Sequence, residues 1–357
     1  MNGNPAGARR FLNVGLAVVG FALVCALLYA ILPFPEIGVV ASHLRYFKRH
    51  RDQFDTLFLG SSLTHHDISP AVFDRVMLES GHATRTFNFG VDGMLVAESS
   101  YILERLLATH PKNLKLVFIE LDELAIEPFA GAEGSRRDIY WRDAKRTSLL
   151  LGHLIEDRRN QHSATTTSLP DIRAQPIHRH GFRQLLFFHL KLFGKNIMNV
   201  SRRGDLTWWG SHFWKPDKMP DDLGPASDGY APFDQDIPES RMLAYRFELD
   251  QALARPGDRF VSAATERACR QMAEQVKKAG ATPIFLRMPV VSQIKLRFRA
   301  EPGPAVILSY NDARVYPELY RRDTRAEEIH LNPRGAEALS TLVARDLSKL
   351  IDERRPR

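Results

Sequence analysis

The stretch "TLFLGSSLTHHDISP", residues 56–70, decides how the rest of the chain is read. Apolar and β-favouring residues run up to Gly60, as in a buried strand, and two serines follow at once. Gly and Ser are common turn residues, so a plain turn accounts for the stretch taken alone. In a parallel α/β sheet the same order would present hydroxyls at the carboxyl end of a strand, where such sheets build their sites. The choice depends on whether the remaining chain supplies that sheet and partners for a hydroxyl.

Working outward, the strand at 55–60 is followed by a helix over 71–80, opened by Pro70 at its first position. Residues 84–89 read as a strand, and "GMLVAESSYILERLLATH" (93–110) has apolar residues at helical spacing. "LKLVFIELD" (114–122) is a nearly continuous apolar run, as expected of a strand buried on both faces. Residues 128–239 are irregular and rich in Arg, His, Trp, Pro and Gly. The alternation resumes with a helix over 261–279 stopped at Gly280, the strand "TPIFLRMP" (282–289), an apolar run at 305–309 and a last helix from Pro333 towards 351. Alternating strands and helices predict a parallel sheet covered on both faces, a three-layer α/β/α fold.

Residues 11–34, "FLNVGLAVVGFALVCALLYAILPF", carry no charge and are long enough to cross a bilayer as a helix. Arg9 and Arg10 precede them. The run exceeds the 7–15 apolar residues usual in a signal peptide, and no small-x-small cleavage site follows, so an uncleaved signal anchor is expected. The chain then divides into a tail and anchor (1–34), a basic stalk (35–54), the first part of the α/β domain (55–127), a basic insertion (128–239) and the second part (240–357). There are two cysteines, Cys25 and Cys269, and one lies in the apolar run, which argues against a disulfide framework or a thiolate zinc site. No cofactor or metal is expected. His65 and His66 are adjacent, so on a helix they would not face one another, and they read as solvated or rim residues.

The formal net charge is +7, and residues 131–215 hold 15 Lys and Arg against 7 Asp and Glu. The basic surplus therefore belongs to the insertion. It reads as a solvated basic surface or as a cradle for an anionic glycan or lipid headgroups. Trp208, Trp209 and Trp214 offer flat faces for sugar rings, or simply pack. "GFRQLLFFHLKLFGKNIM" (181–198) is apolar enough to lie on a membrane or to be buried in the domain. Nucleic acid is disfavoured, because no RNA- or DNA-binding motif is present.

Three segments fall at predicted strand ends, Gly60-Ser61-Ser62, "FNFGVDG" (87–93) and "IELDE" (119–123), and "EEIHLNPRGA" (327–336) precedes the last helix, so all four can converge on one rim. A serine needs a base to become a nucleophile, and His330 is the candidate. The base needs an acid to fix its tautomer; Glu327 stands three residues earlier, with Asp323 and Glu328 close enough to compete. The backbone N–H groups of Ser62 and Gly90 are the expected oxyanion donors.

These blocks resemble the SGNH (GDSL-like) hydrolase superfamily over roughly residues 52–125 and 258–352. Gly60-Ser61-Ser62 looks like its first block, Gly-Asp-Ser, which carries the nucleophile role to Ser62. Asn88-Phe89-Gly90 looks like the second block, and Glu327-Glu328-Ile329-His330 like the fifth, Asp-x-x-His. Ser61 and Glu327 replace aspartates. "IELDE" lacks the third block's asparagine, and an ionised Asp122 cannot donate a hydrogen bond. A missing oxyanion donor costs on the order of 10²–10³ in turnover.

A single anchor before such a domain resembles the envelope acyl-transfer proteins of alginate O-acetylation and of teichoic acid D-alanine transfer. The resemblance implies a serine O-acetyltransferase acting on an anionic or acetylated envelope glycan. It implies a domain on the periplasmic side of a bacterial inner membrane, beside a multispanning membrane acyltransferase. An acetyl esterase, or a non-catalytic glycan-binding or assembly subunit on a degenerate fold, is the alternative.

Overall fold

Five parallel strands build the central sheet: β1 (Thr56–Gly60), β2 (Thr86–Gly90), β3 (Leu116–Glu120), β5 (Thr282–Arg287) and β7 (Val306–Ser309). Their order is β2-β1-β3-β5-β7, and Leu59 stands opposite both Phe89 and Ile119. Two further strands, β4 (Gly257–Phe260) and β6 (Ile294–Arg297), pair with each other in parallel, and helix α9 (Glu239–Leu253) precedes them. This computed structural model describes residues 5–353 apart from 33, 128–132, 168–179, 202–222 and 302.

Side chains alternate across the pleat. Leu57, Leu59, Val117 and Ile119 therefore enter one core, with helix α5 (Val96–Leu107) and a helix over Ala263–Lys278, called α10. Phe58 and Phe118 enter the other, stacked with ring centroids 4.2 Å apart. Helix α4 (Pro70–Glu79) and the last helix, α11 (Pro333–Glu353), cover that face through Phe73, Met77, Leu339 and Val343. Burial on both faces explains why β1 and β3 lack polar alternation. The chain leaves β1 for β2 on one side and later places β3 on the other. The switch point is thus between β1 and β3, where open α/β sheets form their crevice.

Helix α1 (Pro5–Ile31) contains a 20-residue stretch, Arg9–Leu28, long and apolar enough to cross a membrane, with mean hydropathy 2.5. Two expectations are corrected. The stretch read as a stalk is helix α2 (Gly38–His50), and its Val40 and Phe47 are buried in the core shared with α5. The insertion read as irregular contains helices α6 (Arg136–Tyr140), α7 (Ala144–Thr167) and α8 (Phe182–Ile197), which contribute Tyr140, Leu150, Leu154 and Leu185 to the same core. Several of its basic groups point inward. Arg142 is paired with Asp138, and Arg146 with Glu104 and Asp143. The basic surplus is to that extent internal scaffolding rather than an open cradle.

Candidate active site

Helix α3 (Ser62–Asp67) starts directly after β1, with Ser61 as its N-cap. The Ser61 Oγ accepts the Leu63 N–H and donates to Glu120 Oε1 at 2.7 Å. The Ser61 N–H and the Thr64 hydroxyl both donate to Glu120 Oε2 at 2.8 Å. Glu120, at the end of β3, thus fastens the turn from across the switch point. Burial pushes its carboxyl pKa up, against the pull of these donors. The turn requires glycine at position 60, because a Cβ there would lie 2.4 Å from Glu120 Oε2.

Ser62 is half-buried and, among the described residues, its hydroxyl makes no hydrogen bond. It lines a cavity of about 240 Å³ together with Gly93, Glu120, Asp122, Glu123 and Ile329. Asp122 stands where a third oxyanion donor was sought. Its Oδ1 accepts from Arg287 Nη1 at 3.0 Å, and Arg287 also donates to the Leu121 carbonyl. Glu123 is committed to the Thr265 hydroxyl at 2.7 Å. Carboxylates therefore dominate the charged lining of the cavity.

The Gly90 N–H does not serve the cavity. It donates to Asn88 Oδ1 at 2.8 Å, while Asn88 Nδ2 donates to the carbonyls of Thr64 and Ile68. Gly90 is instead the point where β2 and α3 touch: a Cβ on it would lie 2.1 Å from the His65 nitrogen. Gly93 lines the Ser62 cavity, as does Gly60, and its φ of +67° suits a residue without a Cβ.

His330 is 7% exposed and lies between two carboxylates. Its Nε2 is 3.6 Å from Glu327 Oε1 and its Nδ1 is 3.8 Å from Asp67 Oδ1. Asp67 is fully buried and accepts the Leu331 N–H at 3.0 Å, so the last residue of α3 is tied to the His330 segment. Burial raises the Asp67 carboxyl pKa, although His330, the Leu331 N–H and Arg325 pull it down. Glu327 is part-exposed and shares its charge with Arg241, 3.7 Å away. The competing acids Glu328 and Asp323 pair with Arg241 and Arg321 respectively. Ile329, next to His330, lines the Ser62 cavity, whereas the His330 ring packs on Phe233 and His66, at 5.0 and 5.3 Å between centroids.

His65 and His66 are buried, not solvated. His65 Nδ1 and His66 Nε2 converge on Asp92 Oδ1, each at 2.9 Å. His66 Nδ1 faces the Ala231 carbonyl. Both nitrogens of His66 therefore meet acceptors, which demands the doubly protonated ring. Burial opposes that charge, but the bonds to Asp92 and Ala231 outweigh it and raise the His66 pKa. The two imidazoles hold the Asp92 carboxyl far below the usual carboxylate range. These three ligand atoms lie within 4.8 Å of one another, so the set could hold a divalent cation. The hydrogen bonds account for the geometry without one.

The segment from Leu223 to Ile237 runs over this cluster. The Asp228 backbone carbonyl accepts the Asn88 N–H, the Ala231 N–H donates to the His65 carbonyl, and the Phe233 ring covers His66 and His330. Trp208, Trp209 and Trp214 lie outside the described residues. Comparison with protein-family models finds none that matches this chain, and comparison with curated proteins finds no match either.

Proposed function

We propose that this chain is a membrane-anchored acyl-transfer protein of SGNH-like type, with Ser62 as nucleophile and His330 as base. The observation that carries the reading is placement. Ser62 opens a helix at the carboxyl end of β1, beside the β1/β3 switch point, and shares its cavity with the residue next to His330. The Ser62 oxygen attacks the acyl carbonyl carbon and its proton passes to His330 Nε2. That proton then leaves with the departing alcohol or donor, and a glycan hydroxyl takes the acyl group from Ser62 in the reverse sequence. Glu327 turns from Nε2 towards Arg241 to make way for Ser62. Asp67, on the Nδ1 side, takes the orienting role first expected of Glu327.

The N–H groups of Ser62 and Gly93 are the proposed oxyanion donors. The acidic lining leaves no place for an anionic group in the cavity itself. The cavity receives the acyl group and the acceptor hydroxyl, and any negative charge on the polymer lies outside it. Helix α1 anchors the domain at the outer face of a bacterial inner membrane, next to a multispanning acyltransferase that supplies the acyl group.

An acetyl esterase differs only in using water as acceptor. Mass analysis of the surface polymer from a deletion strain separates the two: loss of acetyl supports transfer, and gain supports the esterase. A change on deletion that a Ser62→Ala copy fully restores supports the binding-subunit reading and overturns acyl chemistry.

A further inference from the structure

Helix α8 has two apolar faces, and the core uses only one. Leu185, His189, Leu192 and Asn196 are its buried residues. Phe187, Leu190, Ile197 and Met198 are exposed at 70%, 44%, 45% and 43%. With Gly194 they recur at helical spacing on the side away from the buried set. Arg183, Lys191 and Lys195 accompany them, and the helix contains no acidic residue. A soluble surface seldom carries such a stripe without a partner.

What covers the stripe is indicated by where α8 ends. Asn199, just past the helix, is buried and donates through Nδ2 to the Cys25 carbonyl at 3.1 Å. Cys25 belongs to the apolar stretch of α1, three residues before its end at Leu28. At 1.5 Å per residue, the contact lies about 4.5 Å inside that end. Cys25 is buried, whereas most described side chains of the stretch are exposed. A second tie holds the same end, since the Phe34 ring meets Tyr140 of α6 edge-on at 5.5 Å. The carboxyl end of α8 is therefore fixed about 4.5 Å inside the end of the apolar stretch, close to the roughly 5–10 Å at which interfacial helices settle in the headgroup and acyl boundary.

We infer that α8 lies in the membrane interface, with Phe187, Leu190, Ile197 and Met198 in the acyl region and its basic residues at anionic headgroups. The bilayer thus holds the domain at two places, the spanning helix and this surface helix. That fixes the orientation of the Ser62 cavity relative to the membrane instead of leaving it to a flexible tether. The inference rests on α1 being the anchor but not on the acyl chemistry.

The test uses the full chain with Cys25 and Cys269 replaced by alanine, reconstituted in vesicles of phosphatidylcholine and phosphatidylglycerol. A nitrobenzoxadiazole fluorophore is placed in turn on Phe187→Cys, Val18→Cys in the anchor, and Val315→Cys, an exposed apolar site elsewhere. Doxyl-labelled lipid should quench most of the signal at positions 187 and 18, and aqueous iodide should quench only position 315. Adding Lys191→Glu and Lys195→Glu should return position 187 towards iodide. If iodide reaches position 187 while lipid still quenches position 18, the surface-helix inference fails and the anchor stands. If lipid does not quench position 18, the anchor reading itself fails. Protection of position 187 from both quenchers would mean that a protein covers the stripe, a second copy or another partner, and also overturns the inference.

Discussion

Replacing Asp67 by asparagine should slow acyl transfer far more than replacing Glu327 by glutamine. Asp67 is fully buried and its Oδ1 stands 3.8 Å from His330 Nδ1. At an effective dielectric constant of 20, a carboxylate at that distance stabilises an imidazolium by about 4 kcal/mol. If that charge acts only when His330 takes the serine proton, its loss slows the reaction by roughly 10³. Asparagine keeps an acceptor for the Leu331 N–H, so the fold should survive. Glu327 is closer, at 3.6 Å, but it is part-exposed and shared with Arg241. Exposed pairs contribute about 0–1 kcal/mol, so Glu327→Gln should cost roughly fivefold at most. Because burial raises the Asp67 pKa, wild-type activity should fall as pH drops through a value above the ordinary aspartate range. The assay is release of p-nitrophenol from its acetate ester by wild type and the two variants across pH, with thermal unfolding as the control for folding. Equal rates for Asp67→Asn and wild type, or a larger loss in Glu327→Gln, would refute the assignment of Asp67 as the orienting acid.

Glu120→Ala leaves the Ser61 N–H and the Ser61 and Thr64 hydroxyls without their shared acceptor. At about 1 kcal/mol for each bond, melting should fall by roughly 4 °C in a chain of this length, and an unchanged Tm would show that the turn stands without it. Asp92→Asn should narrow the range of pH over which the protein is most stable. The lowered Asp92 pKa gives stability that is present above about pH 4 and lost as pH falls through the folded value, and the raised His66 pKa gives stability present below about pH 6.5 and lost as pH rises through its folded value. The Tm difference between wild type and variant should therefore peak between about pH 4 and 6.5; a flat difference would mean that the pair is not ionic.

What the sequence made legible was local. The strands of "TLFLG" and "LVFIE" stand out because burial on both faces makes them continuously apolar, and the capped starts of α4 and α11 are marked by Pro70 and Pro333. Helix α2 read as a basic amphipathic stalk; that Val40 and Phe47 are buried, with Val39, Leu44 and Tyr46 packed against the same core, depends on the face α5 offers it, which local sequence does not show. The insertion helices were hidden for a related reason. They are tied by buried arginines: Arg146 in α7 occupies a place where a periodicity reading looks for leucine, and Arg142 is buried in the connection between α6 and α7. Spacing and block order singled out Ser62 and His330 but not what surrounds them: among the described residues the Ser62 hydroxyl has no hydrogen-bond partner, and the His330 ring packs on His66 and Phe233. Asp67 meets His330 from the far end of the chain, and Asp92 comes from a different strand end to gather His65 and His66. What occupies the Gly90 N–H is a side chain, since Asn88 folds back and accepts from it, and spacing does not show that.

The most direct test of the account is reaction of the full chain with a fluorophosphonate probe, followed by peptide mapping. The account predicts a single adduct on Ser62, absent from Ser62→Ala and strongly slowed in His330→Ala. An unmodified wild-type protein, or an adduct that persists in Ser62→Ala, would contradict it.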